Sequence, residues 1–364
     1  MKAVVRSAPG VLEVEDIDVP VPGKGQVLVR SLACGICGSD LHALHHLEHM
    51  FDVMGASMKK PADTAVKKPG KTVFGHQFCA EIVDYGPAAT RKLPVGSAVV
   101  SMPYASGPNG IEQLGYSQNL PGGFAEYMVL DEGLLLPVPN GLSAAEAAMV
   151  EPIAVGEHAV NAARFSKKSV AMVIGCGQIG LAVIATLKSR GFGPVIAVDF
   201  SERRRKVAEK LGADVVIDPS KDAPHARWSE FNVPATMQDL AVARYMGDPG
   251  DAIIFECVGK KGLLQNLMME APPAAQFIVV GVCMETDYFE PVMAAAKELS
   301  LRFVIAYNMQ EFSQTLDAIA GGKIDAAAMI SSTVGLAGVS DAFERMKNAE
   351  LEVTVLVDPG KDTL

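Results

Sequence analysis

The chain contains no apolar run long enough to span a membrane, no cationic and apolar leader of the secretory kind, and no regular internal repeat. On those grounds a membrane span, an exported product and a solenoid are not expected. A cytoplasmic location is the resulting expectation. Cysteine is sparse, with six in 364 residues, which is no disulfide scaffold, so Cys34, Cys37, Cys79, Cys176, Cys257 and Cys283 each need their own reading. None lies between Met102 and Gly123. Positive charge is also short: 32 Lys and Arg face 42 Asp and Glu, for a formal charge of -10. That balance argues against a nonspecific nucleic-acid surface. With 49% hydrophobic and 20% charged residues, the chain reads as folded throughout and long enough for two domains with cores of their own.

What is present centres on Val170-Ala-Met-Val-Ile-Gly-Cys-Gly-Gln-Ile-Gly-Leu-Ala-Val-Ile184. An apolar strand enters a Gly-x-Gly-x-x-Gly turn and leaves as an apolar helix. Gly175 permits the tight turn, Gly177 admits a pyrophosphate close to the backbone, and Gly180 allows close packing of helix on strand, with Gln178 and Ile179 between them. The free N-H groups at the helix start form an anion site. The motif alone also fits a packing turn in an unrelated α/β domain. A second apolar strand, Pro194 to Asp199, adds context by ending in an acid 19 residues after Gly180, the interval expected of a group that binds the adenosine ribose. Its carboxylate would repel a 2'-phosphate, so Asp199 favours NAD over NADP. Arg203, Arg204 and Arg205 follow on the next helix; Arg204 is assigned to the cofactor site, against the alternative that these arginines face solvent or pair with Glu202 and Glu209.

After this turn, strands alternate with helices. Ser201 is placed as the N-cap of a helix ending at Gly212. Strands are expected over 213–217, 276–282 and 301–305 and a strand entering a turn over 251–259, with helices over 263–270, 292–298 and 309–320, the pattern of a doubly wound parallel sheet. Residues 218–234 read as a surface excursion, and 339–346 and 353–357 as a final helix and strand. The first half is different, with short β-like segments (2–6, 26–30) broken by Pro20, Pro22, Gly23 and Gly25, as in a small barrel or irregular β domain. Ser143 and Glu146 carry the spacing of a capping box.

Polar residues of chemical interest gather in Cys34-Gly-Ile-Cys-Gly-Ser-Asp-Leu-His42 and in Gly75-His-Gln77. Cys34 and Cys37 have the spacing of a redox pair, whereas Cys37 with His76 offers the thiolate and imidazole that suit zinc. A buried structural cysteine and a core histidine explain the same residues. Glu151, before Pro152, is either a helix-cap or solvent-facing carboxylate or a third metal ligand. The segment 46–71, with its histidines, methionines and Phe51, reads as part amphipathic cleft wall and part exposed loop.

Taken together, Gly35-Ile-Cys-Gly-Ser-Asp-Leu-His42, Gly75-His76, Gly122-Gly-Phe-Ala-Glu-Tyr127, Glu151-Pro152 and Gly175-x-Gly-x-x-Gly180 occur in the order of the zinc-containing medium-chain dehydrogenase/reductase family, and the chain resembles its alcohol and polyol dehydrogenase branch over almost its whole length. The resemblance implies an α/β fold in which a GroES-like β-rich catalytic domain (1–155, returning at 307–364) is joined to a Rossmann NAD-binding domain (156–306). It implies one catalytic zinc per subunit on Cys37, His76 and Glu151, with Asp40 orienting His76 and Gln77 standing where many polyol-type relatives have glutamate. Ser39 would contact the substrate hydroxyl, and His42 would receive the proton through the nicotinamide ribose. The second, structural zinc of the family needs four cysteines in the region of 102–123, so it is expected to be missing and the lobe to be held by ordinary packing. The implied reaction is reversible hydride transfer from a primary or, preferably, secondary alcohol or polyol to NAD, giving an aldehyde or ketone. A sugar or aldehyde-adduct dehydrogenase and a noncatalytic NAD-binding protein are the alternatives. Assembly as a homodimer or homotetramer is implied as well, with a small alcohol or carbonyl compound as the partner and neither nucleic acid nor membrane. The interval between Cys37 and His76 is longer than in such relatives, which points to an enlarged or lidded pocket.

Overall fold

A computed structural model describes residues 1–57, 70–247 and 249–361. The expected loop from Lys59 lies almost wholly outside the described residues, and so does most of the segment read as a pocket lid. The chain divides into two compact units: Met1–Glu151 with Ile330–Asn348 and Thr354–Leu364, and Pro152–Met329 with Ala349–Val353.

The first unit opens with β1 (Lys2–Ala8), β2 (Val11–Asp16) and β3 (Gln26–Gly35), followed by α1 (Gly38–Ser57), which bends at His46. β4 (Thr72–Val73), β5 (Gln77–Tyr85) and β6 (Ala98–Ser101) come next, then the hairpin β7 (Tyr104–Gly107) and β8 (Gly110–Gln113), and β9 (Tyr127–Asp131) and β10 (Leu135–Pro137). The short helix α2 (Ala144–Ala148) begins at the Ser143 and Glu146 capping box anticipated from the spacing. It leads into α3 (Val150–Ala162), whose first two residues close this stretch of the unit.

The second unit holds β11 (Ser169–Ile174), α4 (Gln178–Ser189), β12 (Val195–Val198), α5 (Glu202–Lys210) and β13 (Val215–Ile217). After α6 (Met237–Met246) come β14 (Asp251–Glu256), α7 (Leu263–Glu270), β15 (Gln276–Val279), α8 (Pro291–Ala296), β16 (Ser300–Phe303) and α9 (Met309–Ala320). The chain then returns to the first unit with β17 (Ser332–Val334), α10 (Val339–Met346) and β18 (Val355–Val357).

In the first unit, β3 is the spine. It pairs antiparallel with β5, β9 and β18, within a sheet ordered β10-β6-β5-β3-β18-β17. Phe74, Phe124, Phe343, Ile82 and Met128 fill its core. β3 ends at Gly35 directly opposite Gln77, which brings the start of α1 beside the residues preceding β5. The second sheet is wholly parallel, in the order β13-β12-β11-β14-β15-β16, and its order reverses beside β11. Every residue of β11 is buried; a strand covered on both faces reads as one continuous apolar run, hence the uninterrupted Val170 to Ile174.

The return to the first unit comes at Ile330, later than the boundary at 307 suggested by the resemblance. Polar contacts explain the difference: Glu311 of α9 accepts from Asn161 Nδ2 at 2.8 Å and lies 3.0 Å from His158 Nδ1, both on α3 within the second unit. Lys210 holds Asp325 at 3.2 Å. The excursion over 218–234 carries a 3-10 turn (Pro224–Phe231) that buries Trp228.

Candidate active site

In the first unit, α1 starts where β3 ends, and Cys37 acts as its cap. The Cys37 carbonyl accepts from the Asp40 N-H at 3.1 Å, while the Asp40 carboxylate accepts from the Cys37 N-H at 3.0 Å, half of a capping box. This local geometry turns the buried Asp40 inward and leaves Ser39 half-buried and His42 exposed. His76 arrives from the loop before β5, buried, with Nδ1 at 3.4 Å from Asp40 Oδ1. That is an ionic contact without a formed hydrogen bond among the described residues. Burial pulls the His76 pKa down, but Asp40 and Cys37 outweigh it and hold the imidazole well above its ordinary range.

Backbone contacts too close for side chains bring these pieces together. Gly75 has a φ of +104°, and a Cβ there would meet Cys34 Sγ and the N atoms of Gly123 and Phe124 at 2.8 Å. The 122–124 stretch pairs with 73–75, its N-H groups donating to the carbonyls of Val73, Gly75 and Phe74. Cys34 is packed into this crossing and fully buried; desolvation, then Asp40, pushes its thiol well above the ordinary range. It is therefore a core residue and not half of a redox pair. Gln77 is buried with its side chain against Gly35, where a Cβ would stand 2.5 Å from Gln77 Oε1.

One residue that sequence reasoning missed completes the cluster. Tyr116, from the turn after β8, places its hydroxyl 2.8 Å from Ser39 Oγ and 3.1 Å from Asp40 Oδ1. Its ring lies 5.3 Å from that of His76 and edge-on to Phe74 at 6.0 Å. Desolvation and the neighbouring Asp40 push its pKa well above that of a free phenol, so the hydroxyl keeps its proton. No motif contains Tyr116; the one signal in the sequence is a tyrosine beside Gly115 in a Gly- and Asn-rich stretch without cysteine.

Packing is not all that holds this lobe. Glu112 accepts from the Asn109 N-H at 3.1 Å, from Asn119 Nδ2 at 3.0 Å and from the Ser117 hydroxyl. Partial burial raises the Glu112 pKa, but Ser117, Asn119 and Asn109 more than reverse this and bring it below the usual carboxylate range.

The expected catalytic zinc is corrected by the geometry. A catalytic zinc site needs three protein ligands converging on one point. Among the described residues, no group of three or more His, Cys, Asp and Glu side chains is arranged to hold a metal ion. Cys37 and His76 form a pair, with the aromatic ring of Tyr116 and the Asp40 carboxylate packed against His76. Glu151, buried in the first turn of α3, does not close a ligand set with them.

In the second unit, the nucleotide turn follows β11. Gly175 has a φ of +87°, and a Cβ on Gly180 would stand 1.8 Å from the Gly175 carbonyl oxygen, so both positions demand glycine. Gly177 caps α4 with no side chain bonded to the helix start, leaving its N-H groups to an anion. Gln178 is buried and Ile179 half-buried. Asp199 Oδ2 accepts from the Cys176 N-H at 2.6 Å and Oδ1 from the Ser201 N-H at 2.7 Å, which fixes the acid at the mouth of the turn with lone pairs to spare. Ser201 is the N-cap of α5, as expected. The three arginines separate in role. Arg205 binds Asp218 and the carbonyls of Asp199 and Phe200, and Glu202 pairs with Lys206. Arg204 reaches toward Gly177, where a Cβ would lie 3.8 Å from its Nη1. Its buried Nε has no hydrogen-bond partner among the described residues. A buried cationic donor left unmet beside an anion-binding turn fits a dinucleotide phosphate group.

A β-rich unit with a polar cluster at the start of a helix, together with a doubly wound unit bearing an acid-flanked nucleotide turn, defines a two-domain dehydrogenase. The family described as alcohol dehydrogenase GroES-like domain matches residues 23–140, and that described as zinc-binding dehydrogenase matches residues 179–321. The chain is 29% identical over 360 residues to the (R,R)-butanediol dehydrogenase of Bacillus subtilis (strain 168), covering 96% of each chain. It is 25% identical over 374 residues to the sorbitol dehydrogenase of Bos taurus, covering 98% of this chain and 96% of that one. The crystal structure of 2R,3R-butanediol dehydrogenase from Bacillus subtilis superposes with a TM-score of 0.78 at 27% identity, over 98% of this chain and 99% of the other. The chain belongs to the zinc-containing medium-chain dehydrogenase/reductase family, in its alcohol and polyol dehydrogenase branch.

Proposed function

We propose that this protein is an NAD-linked oxidoreductase that interconverts secondary alcohols, vicinal diols and short polyols with the corresponding ketones. The observation that carries the reading is a conjunction within one chain: a nucleotide turn flanked by Asp199 and Arg204, and a buried Asp40, His76 and Tyr116 cluster ending in the half-buried Ser39 hydroxyl. The names of the butanediol and sorbitol dehydrogenases it resembles support a substrate with neighbouring hydroxyls.

Bound NAD supplies the acceptor for the hydride. The turn at 175–180 holds its pyrophosphate on backbone N-H groups, Arg204 adds a charge-assisted donor, and Asp199 accepts from the ribose hydroxyls. In the other unit, Ser39 accepts a hydrogen bond from the substrate hydroxyl and thereby orients the carbon that loses hydride. Asp40 and Tyr116 hold Ser39 and His76 in place. His42 is exposed, and burial of part of its ring, with His46 nearby, lowers its pKa. It is neutral near pH 7 and able to carry the released proton to water. Assembly into a homodimer or homotetramer is supported by β16, an edge strand of the described parallel sheet, which leaves Phe303 66% exposed, with Ile305 also exposed beyond it.

The test is NADH formation across a panel of 2,3-butanediol isomers, sorbitol, xylitol, 2-butanol and ethanol, each with NAD and with NADP. Turnover of diols or polyols with NAD, and far weaker turnover with NADP, is the expected outcome. Protein that binds NAD but oxidises none of these alcohols would sink the proposal.

A further inference from the structure

We propose that Glu350 and Asp218 are specificity-determining residues for the cofactor: each occupies a positive group beside Asp199 that could receive a 2'-phosphate, and so disfavours NADP in addition to the repulsion by Asp199 itself. The inference rests on the reading above in which Asp199 meets the adenosine ribose.

A phosphate on that ribose would stand beside the Asp199 carboxylate, where β12 and β13 end and α5 begins; the Asp199 N-H donates to the Ile217 carbonyl at 3.2 Å. Two kinds of group bind phosphate in such a place, the N-H groups of a helix start and an arginine. Both are present, and both are taken by carboxylates. Glu350 accepts from the N-H of Glu202 at 2.9 Å and of Arg203 at 3.3 Å, the first two residues of α5, while Ser201 Oγ accepts from the Arg204 N-H at 3.2 Å. Arg205 Nη1 donates to the carbonyls of Asp199 at 2.8 Å and Phe200 at 2.6 Å, which sets the guanidinium against the backbone of Asp199. Its Nη2 lies 3.2 Å from Asp218 Oδ2, with 14% of either side chain exposed.

Both carboxylates are held in these places by the fold. Glu350 comes from a detour of the returning chain, of which Ile330–Asn348 and Thr354–Leu364 lie in the first unit and only Ala349–Val353 joins the second. Ser201 fastens that detour to the start of α5, its hydroxyl donating to the Ala349 carbonyl at 2.9 Å. The hydroxyl and N-H of Ser220 donate to Asp218 Oδ1 at 2.6 and 3.0 Å. Ser220 first, then Lys221 and Arg205, bring the Asp218 pKa down to about 2, so that it is ionised near pH 7. A 2'-phosphate would meet these two fixed carboxylates as well as Asp199, and would have to displace one of them to gain a donor from Arg205 or from the first turn of α5.

The test reads binding to the full chain by calorimetry, with 5'-AMP and adenosine 2',5'-bisphosphate as probes, because the two differ only in the 2'-phosphate. The quantity followed is the ratio of their Kd values. Glu350→Gln and Asp218→Asn remove one charge each at nearly constant shape, and each should shift the ratio toward the bisphosphate by about 3- to 5-fold, the worth of one exposed charge at a helix start or in a surface ion pair. Adding Arg205→Met to Asp218→Asn should abolish the second gain, since the proposed receiver of the phosphate is then missing. Glu209→Gln, at the far end of α5, should leave the ratio where it is. An unchanged ratio in Glu350→Gln and Asp218→Asn, a gain that survives Arg205→Met, or an equal gain in Glu209→Gln overturns the proposal. Binding of 5'-AMP reports that a variant is folded; where an amide variant does not fold, Glu350→Ala or Asp218→Ser must give the same shift. Wild-type protein that binds neither NAD nor 5'-AMP overturns the cofactor reading and this inference with it, whereas binding of both without the shift in ratio overturns this inference alone.

Discussion

Gly180 shows how much a single residue carries. Its missing side chain is what allows α4 to start against the Gly175 carbonyl, because a Cβ would fall 1.8 Å from that oxygen and the atom it meets is backbone. Gly180→Ala should therefore destabilise the second unit by about 1–3 kcal/mol or more, the usual cost of overpacking, and raise the Kd for NAD. Chemical denaturation and NAD titration together check this, and unchanged values in both would show that the turn yields easily. The need for glycine at 175 and 180 was legible in the sequence, because the motif reports a backbone requirement. So was the acid at 199, placed by a strand length. Tyr116 was not, since what defines it is a hydrogen bond to residues 76 and 77 positions away, and nothing local marks it.

At the scale of elements, two charged side chains act where backbone alone leaves unmet groups. Lys297, just after α8, sends its Nζ to the carbonyls of Met268 at 3.2 Å and Ala271 at 2.8 Å, at the end of α7, a favourable place for a cation. Lys297→Met should lower stability by about 1–2 kcal/mol, read as a reduced midpoint in urea with an unchanged slope. Glu112 does the equivalent work in the lobe after β8. Its folded pKa lies below its ordinary value of 4.5, so the stabilisation is fully present above that value and is lost as pH falls through the lower, folded one. Glu112→Gln should accordingly melt earlier than wild type at pH 7, by roughly 1–3 kcal/mol of stability. The gap should narrow only below about pH 4.5; a gap that stays constant into acid would remove the charge from the explanation. Helix and strand positions were largely foreseen from periodicity and caps: α9 begins at the Asn308 cap and spans Met309–Ala320, as read from the pattern. The hydrogen-bonded organisation of the lobe was not, because Glu112, Ser117 and Asn119 look like ordinary turn residues until the fold closes them on one another.

For the whole molecule, the exposed edge is the feature with a consequence. β16 ends the parallel sheet, and Phe303 and Ile305 stand 66% and 77% exposed on and beside it. Pairing with a second copy would cover both the apolar side chains and the open backbone groups. Phe303→Asp should shift the protein to a smaller species in light scattering after gel filtration while leaving the far-UV circular dichroism unchanged. A mass that does not change between wild type and variant would place any interface elsewhere.

The sequence by itself determined the sheet of the second unit, the nucleotide turn and the membership in a dehydrogenase family, because those depend on apolar runs, glycine spacing and residue order, all local quantities. Only the tertiary structure decided what surrounds His76. The family resemblance implied Cys37, His76 and Glu151 as a ligand set, whereas the fold pairs Cys37 with His76, brings Asp40 and Tyr116 against the ring and leaves no converging triad among the described residues. Spacing along a chain says which donors exist; whether they converge depends on how β3, α1, β5 and α3 pack, and that is settled by long-range contacts that no short motif encodes.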